Sequence, residues 1–508
     1  MIMSQKLYSE IKNNSFPLDL KEIPVLQYDI FYEQVCDFLK NEAKHCIAYY
    51  GVATSGILKF YCYIADDNNN SIAVFSHELY NNKTVLKSLT MVCSQLQIFE
   101  REIHENFGVK FEGHPWLKPV RYSHNRFDKS NIINNYPFYT IESEELHEVG
   151  VGPIHAGVIE PGHFRFICNG EKVLHLEIQL GYQHRGIEKL LIEKKDSLQR
   201  CILSENIAGD TSIGHTLAHS QLIESLAGIE VSETLQIERC IALEMERIAV
   251  HIGDTAALCG DVAYQLGQVV CEALRTLIIN ATQLWCGNRF GKGLVRPGGS
   301  NYPMNNDVAN EILRVLTDTD RRFCEVADRI YSLPSLLARF EDIGKVTREQ
   351  AMSIGAVGMA ARTCGISRDI RVSHPFQFYR NYPVQQVTLE TGDVFARGMQ
   401  RNLEVHESVK IIRGLIEIWR QKNMEINIPI YNYKLKQNKV GISIIEGWRG
   451  EICHSAITDT DGNIEHYKVK DPSMHNWLAL ALAVRNQEIS DFPICNKSFN
   501  LSYCGNDL

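Results

Sequence analysis

His163-Phe164-Arg165-Phe166-Ile167-Cys168-Asn169-Gly170-Glu171-Lys172-Val173-Leu174-His175-Leu176-Glu177-Ile178-Gln179-Leu180 is the stretch on which the reading of the fold turns. Apolar and aromatic residues flank Asn169-Gly170, a dipeptide that favours a two-residue hairpin turn of type I′. Directly afterwards the apolar period lengthens from 2 to about 3.6 residues, the change from strand to helix. Ile187–Ala208 places Ile187, Leu190, Leu191, Leu198, Cys201 and Ile202 near one face. Ser212–Ala227 groups His215, His219, Leu222, Ile223 and Leu226 and stops at Gly228. Leu235–Leu258, Val262–Trp285, Asn306–Tyr331 and Val405–Lys422 also read as helices. A second hairpin, Glu451–Thr458 and Asn463–Val469, turns at Asp461-Gly462. Residues 149–508 therefore predict a mostly helical body with short β hairpins at either end, without a repeat of fixed period.

Upstream, residues 1–120 predict a small α+β domain. Ile30–Ala43 has helical periodicity, and Cys46–Ala53, Leu58–Ala65 and Ser71–Leu79 read as strands. Thr84–Phe107 reads as one long helix stopped by Gly108. Residues 121–148 are polar, Asn-rich and aperiodic, as a linker would be. The fold class expected for the whole chain is α+β.

Composition narrows the function. The 508 residues are 44% hydrophobic and 22% charged, ordinary for a globular protein of two or three domains. A formal charge of -9 argues against a nucleic-acid surface. The opening MIMSQKLYSE has no basic start followed by an apolar stretch, so no secretory leader is expected. Trp477–Val484, the longest clean apolar run, is too short to span a bilayer. Membrane association is therefore expected through partners. None of the 15 cysteines pairs at CxxC spacing, which argues against ferredoxin-type clusters, zinc ribbons and thioredoxin chemistry. Reduced, mostly buried thiols in a cytoplasmic protein are expected. There is no strand–GxGxxG–helix nucleotide unit.

Two sets of motifs carry a resemblance. Phe99-Glu100-Arg101-Glu102, Asn106-Phe107-Gly108 and Phe111-Glu112-Gly113-His114-Pro115 resemble the signature of the smaller of two neighbouring peripheral-arm subunits of complex I. Read physically, Glu100, Arg101 and Glu102 form a charged, solvated helix end, and the domain serves architecture and docking. Gly152-Pro153-Ile154-His155, Glu160–Phe166, Gly181–Lys189, Arg296-Pro297-Gly298-Gly299, Thr391–Arg397, Trp448-Arg449-Gly450-Glu451 and Ser498–Leu508 resemble the quinone-site subunit of complex I. They equally resemble the large subunit of membrane-bound, energy-converting nickel–iron hydrogenases. The resemblance implies a helical bundle framed by β structure, and the fused order of the two blocks occurs in such complexes.

Active hydrogenases of that family carry two cysteine pairs. Here the first stretch runs Glu205-Asn206-Ile207-Ala208-Gly209-Asp210-Thr211-Ser212-Ile213-Gly214-His215, with Ala208 and Thr211 at the cysteine positions. The second runs Asp471-Pro472-Ser473-Met474-His475-Asn476, with Ser473 and Asn476 there. A methyl, two neutral hydroxyls and an amide do not replace thiolates in a soft transition-metal site. A nickel–iron centre is therefore not expected.

The resemblance to complex I further implies a quinone headgroup held by a histidine and a tyrosine. His155 matches the histidine, whereas Gly209 stands at the tyrosine position. Asp210, Thr211, His215, Ser473 and His475 are expected to line one polar pocket. Asp210, His215 and His475, together with His155, then form either a proton relay or a vestigial, mutually satisfied cavity. His215 and His219 lie four apart, a spacing that can bind metal. Leu222 and Leu226 beside them favour core histidines. Glu188 matches a glutamate that reaches magnesium in many nickel–iron hydrogenases; the alternative is an ion pair with Arg185, Lys189 or Lys194. Arg185, Arg296 and Arg397 read either as positions facing a partner or its cluster, or as internal ion pairs.

The function implied is that of a peripheral-arm subunit of a membrane-bound oxidoreductase, NADH:quinone oxidoreductase-like or hydrogenase-like. No cofactor is assigned to this chain itself, and quinone is the candidate acceptor. Iron–sulfur clusters are expected on a small partner subunit, with antiporter-like membrane subunits as the rest of an ion-translocating assembly. The expected location is the cytoplasmic face of the inner membrane, held there by partners. The alternatives are a non-redox arm that gates an antiporter-like module and, further off, an active nickel–iron hydrogenase.

Overall fold

A computed structural model describes residues 6–12, 14, 16–54, 56–80, 84–422 and 426–508. Residues 1–5, on which part of the leader reading falls, lie outside the described residues.

The N-terminal domain is built on a five-stranded sheet. Lys44–Thr54, Ile57–Asp66 and Ser71–Leu79 form an antiparallel meander, because each is a run of β-branched and aromatic residues separated by a short polar turn. Ser9–Lys12 adds antiparallel and Val25–Leu26 adds parallel to Ser71–Leu79. The helices Tyr28–Leu39 and Gln97–Phe107 pack with this sheet around Phe31, Tyr49, Phe60, Phe75 and Phe99.

The long helix expected over 84–107 is a correction. Val85–Lys87 is a strand paired with Lys110–Glu112, and the helix begins only at Gln97. The cause is Glu100, whose fully buried carboxylate accepts hydrogen bonds from Ser88 Oγ (2.5 Å), Leu89 N (2.8 Å) and Thr90 Oγ1 (2.6 Å). That acceptor folds the preceding segment back across the helix. Glu100, Arg101 and Glu102 are therefore buried rather than a solvated helix end. Gly108 closes the helix in the left-handed region at φ 72°.

Residues 121–146 hold only one short 3-10 turn, Ile133–Asn135, but they are tied down. Arg121 is buried and paired with Glu102, and Tyr139 N donates to Glu177 (2.7 Å). His147–Val151 joins the first hairpin as a third strand. In that hairpin Asn169 pairs with Lys172, and only the first loop residue, Gly170, has positive φ (57°). This is the pattern of a II′ turn rather than I′.

The body is a bundle of Glu233–Asp261, Gln265–Cys286, Asn306–Ile330 and Val394–Gln421. The helix expected over 187–208 is two helices, Ile187–Glu193 and Ser197–Glu205. Asp196 breaks it by capping the second, accepting from Leu198 N (2.7 Å) and Gln199 N (3.3 Å). Leu198 and Ile202 consequently face out, 38% and 44% exposed.

Ser212–Ala227 lies across a four-stranded sheet of Ile464–Lys470, Glu451–Thr458, Lys439–Glu446 and Leu18–Asp19. The last strand belongs to the first block, so the two blocks share a sheet. They also share buried polar contacts: Tyr50 with Ser455 (2.9 Å) and His45 with Glu451 (2.6 Å). No helix among the described residues is long and apolar enough to cross a membrane.

Candidate functional site

Two loops meet at the N-terminus of the Ser212–Ala227 helix. One is residues 206–211; the other is the turn 447–450 between two strands of the four-stranded sheet. The turn is held by backbone contact. A Cβ on Gly358 would stand 2.1 Å from Gly450 Cα, so only paired glycines allow the approach.

The turn aims Trp448 and Arg449 at the other loop. Trp448 Nε1 donates to Asp210 O (3.0 Å) and Thr211 Oγ1 (3.1 Å). The Arg449 guanidinium grips Asp210 in a fork, at 2.7 and 2.5 Å, and also donates to Asn500 O (2.6 Å). Arg449 is buried, while the Asp210 side chain keeps 36% of its surface open. Gly209 beside it is exposed, with nothing within 4 Å of an added Cβ.

The four positions that lack cysteine are built into the interior. Ala208 is fully buried. Thr211 Oγ1 donates to Asp210 Oδ1 (3.0 Å). Ser473 Oγ accepts from Ser502 N (2.8 Å). Asn476 makes a reciprocal pair with the Val357 backbone, at 3.2 and 3.1 Å. The available heteroatoms are hydroxyls and an amide already engaged in internal hydrogen bonds. They do not fit a nickel–iron cluster, which needs thiolate sulfur.

Behind the ion pair runs a buried chain of hydrogen bonds. Asp471 Oδ2 meets His215 Nε2 (3.1 Å), His215 Nδ1 meets His454 Nε2 (3.1 Å), His454 Nδ1 meets the Tyr467 hydroxyl (2.8 Å), and that hydroxyl meets His219 Nδ1 (2.9 Å). All five groups are at most 1% exposed. Helix spacing puts His215 and His219 on one face, and the opposing sheet supplies His454 and Tyr467.

Burial alone would raise Asp471. The His215 hydrogen bond and the Arg449 charge outweigh it and hold the carboxyl below its usual range. Burial and the neighbouring His215 push His454 well down, and burial, then Arg200, takes His219 to about 3. With one proton on each imidazole and Asp471 as acceptor, every contact has one donor in a single direction. His215 donates to Asp471, His454 to His215, the tyrosine to His454, and His219 to the tyrosine. His219 Nε2 is left as a buried acceptor without a hydrogen-bond partner among the described residues.

Two carboxyls not foreseen as site groups flank Asp210. Glu246 accepts from Ile213 N (2.7 Å) and Gly214 N (3.1 Å) at the helix start, yet burial pushes it up to about 8. It faces a cavity of about 30 Å³ lined by Asp210, Ile213, Met245, Ile279 and Phe290, room for about one water. Glu160 is raised by burial and then by Asp210. Its motif stood among the resembling segments; Glu246 sat unmarked inside a helix.

The expected pocket is only partly assembled. Asp210, Thr211, His215 and Ser473 gather around Arg449 and Asp471. His475 does not join them. It is buried with its ring 5.3 Å from Phe99 of the N-terminal domain, and burial, with the Lys470 charge, holds it well below the usual histidine range. His155 is exposed in the loop before the first hairpin, its Nδ1 accepting from Gly157 N (2.9 Å).

The arginine and magnesium readings are also resolved in part. Arg296 is buried on Glu205 (2.7 Å). Arg397 is fully buried, donating to Ser498 Oγ, Gly392 O and Gly344 O, and burial lowers it to about 10. Neither offers a surface to a partner, which corrects that reading. Arg185 is exposed at the rim and ties Asn206 O, Ile207 O and Cys504 O together.

Glu188 accepts from Val469 N (2.9 Å) and pairs with Lys468 (3.1 Å), not with Arg185, Lys189 or Lys194. Lys468, 3% exposed, also reaches Glu102 at 2.5 Å. An ammonium thus already provides the positive charge at Glu188, and the residues there do not fit magnesium, which demands an octahedron of oxygens.

Comparison with known proteins bears on the whole arrangement. Residues 31–129 match the family described as respiratory-chain NADH dehydrogenase, 30 Kd subunit, and residues 261–444 match its 49 Kd subunit. Hydrogenase-4 component G of Escherichia coli (strain K12) is 25% identical over 395 residues, 78% of this chain and 67% of the relative. Formate hydrogenlyase subunit 5 of the same organism is 26% identical over 364 residues, 71% of this chain and 62% of the relative. The chain thus spans about two thirds of the length of these two relatives. The C/D protein of the NADH-quinone oxidoreductase of Phocaeicola vulgatus is 25% identical over 472 residues, 84% of this chain and 88% of the relative.

The chain is thus similar both to the complex I 30 Kd and 49 Kd subunits and to hydrogenase subunits. The 30 Kd-type match precedes the 49 Kd-type match in one polypeptide, and the C/D relative aligns over most of both.

Proposed function

We propose that this chain is the peripheral-arm subunit of a membrane-bound, complex I-like oxidoreductase, in which an acceptor site with its own proton supply replaces a nickel–iron centre. The observation that carries the reading is the chain from Asp471 to His219, which starts at the motif where thiolates are missing. A small iron–sulfur partner covers the rim at Arg185, Gly209 and Asp210 and delivers electrons. Antiporter-like membrane subunits hold the assembly at the cytoplasmic face of the inner membrane.

The residues can move one proton without moving a heavy atom far. A proton arriving at His219 Nε2 releases the one on Nδ1 to Tyr467. The tyrosine passes its own to His454, His454 passes one to His215, and His215 delivers one to Asp471. His219, Tyr467, His454 and His215 each gain one proton and give one up, every imidazole flips tautomer, and Asp471 holds the transferred proton until the acceptor takes it. Arg449 holds Asp471 and Asp210 apart in charge while an acceptor at the mouth collects the proton. Quinone is the acceptor proposed. The cavity beside Glu246 is too small for its ring, so the headgroup sits at the mouth and the iron–sulfur partner completes its pocket.

A second reading is favoured by the internal hydrogen bonds of Thr211, Ser473 and Asn476, which leave no donor set idle. In it the arm is non-redox and gates the membrane module. Binding of a quinone analogue to the intact complex separates the two. Affinity that falls in Asp210→Ala supports the acceptor site. Unchanged affinity in both Asp210→Ala and His155→Ala removes it.

A further inference from the structure

On the far side of the bundle, Asp320 and Cys324 stand one turn apart on Asn306–Ile330, and His406 meets them from Val394–Gln421. His406 Nδ1 lies 2.7 Å from Asp320 Oδ1 and 3.9 Å from Cys324 Sγ, and its Nε2 is 3.4 Å from that sulfur. One ligand atom from each residue falls within 4.8 Å of the others. Tetrahedral zinc with bonds of about 2.0–2.3 Å has ligand–ligand edges of roughly 3.4 Å. The His406 Nε2–Cys324 Sγ separation of 3.4 Å already matches such an edge, the Asp320 carboxylate stands on the other imidazole nitrogen, and Cys324 is exposed to solvent.

We propose that Asp320, Cys324 and His406 form a binding site for a zinc-class divalent cation, separate from the Asp210 site.

The surroundings favour that ligand. The imidazole packs against Phe323, ring centroids 6.2 Å apart, which limits its orientations. Arg413 lies 3.7 Å from Asp320 Oδ2, while Oδ1 holds the His406 Nδ1 contact, so a cation taken up by Oδ1 displaces that contact. Arg321 is occupied by Asp318 and Glu325, and Arg322 by Asp318. The same geometry without metal resembles a Cys–His–Asp nucleophile, but burial and the carboxylates Asp320, Asp328 and Glu325 raise the thiol rather than lower it. A field that resists a bare thiolate welcomes a cation. Thiol and imidazole together select zinc or cobalt over magnesium and calcium. On binding, the thiol proton leaves to solvent and the imidazole stays neutral. The bound ion adds to the Arg413–Asp320 and Arg420–Asn310 contacts that already join the same two helices.

The test is a titration of the purified full chain, stripped with chelator, with Zn²⁺ by calorimetry and with Co²⁺ by absorption. One equivalent should bind and cobalt should show a thiolate charge-transfer band. Cys324→Ser should abolish the band, and His406→Ala should weaken zinc binding by more than the ~10–100-fold typical of losing an outer partner. Cys504→Ser, at the other solvent-touched thiol, should leave both unchanged. Absence of one-equivalent binding, or a cobalt band that survives in Cys324→Ser, overturns the proposal.

Discussion

Tyr467→Phe removes one oxygen and no other atom of the core. That oxygen lies 2.8 Å from His454 Nδ1 and 2.9 Å from His219 Nδ1, and none of the three side chains touches solvent. The variant leaves an acceptor nitrogen on one imidazole and a donor on the other without a partner. Stranding a buried polar group costs about 1–3 kcal/mol, so the pair predicts a loss of roughly 2–6 kcal/mol. Against a total stability of about 5–15 kcal/mol the loss is large and measurable. Urea unfolding of the purified chain reads it as a lower midpoint at unchanged slope. In the intact complex the same variant cuts the relay in the middle, and acceptor reduction should fall by about 10²-fold or more. A change in stability below about 0.5 kcal/mol would show that the phenol does not bridge two imidazoles. Normal acceptor reduction in a destabilised variant would leave the network structural and end its role as a relay.

Glu246 makes stability depend on pH. Its folded value of about 8 lies above the ordinary value of 4.5, so its protonated form is the one the fold favours. The contribution is complete below about pH 4.5 and is lost as pH rises through 8, by up to roughly 4–5 kcal/mol at 1.36 kcal/mol per unit. Glu246→Gln should flatten that part of the profile of urea midpoints, and parallel profiles would refute the assignment. Lys468→Met leaves Glu102 to Arg121 alone and takes the ammonium from Glu188, and should cost about 1.5–3 kcal/mol, without rescue by added magnesium; rescue by the ion would restore the metal reading. Gly358→Ala, whose new methyl would press into Gly450, should destabilise by several kcal/mol and loosen Arg449; a melt equal to the parent would contradict the close approach. Metal analysis of the purified complex should find no nickel attributable to this chain. Stoichiometric nickel, with infrared bands of diatomic ligands on iron, would reverse the reading of Ala208, Thr211, Ser473 and Asn476.

The α+β class, the positions of the two hairpins, most of the long helices and the missing thiolates were legible in the sequence. Each rests on residues close together in the chain, where side-chain period and donor chemistry act locally. Ser212–Ala227 was readable to both ends, because an apolar face and a glycine stop are local signals. The long helix expected over 84–107 failed because Glu100, a residue that looks solvated, folds its own upstream segment over itself. The site divided in the same way. His215 and Asp210 stood in a recognisable motif, but their partners lie far along the chain: Arg449 for Asp210, His454 and Asp471 for His215. Lys468 took Glu188 from a distant strand near the other end of the body, and His475 turned toward the other domain. A buried charge or imidazole is satisfied by whichever opposite group packing brings within about 3 Å, and chain order does not record that choice. The sequence by itself determined what this pocket cannot hold. Only the tertiary structure decided which groups face one another inside it.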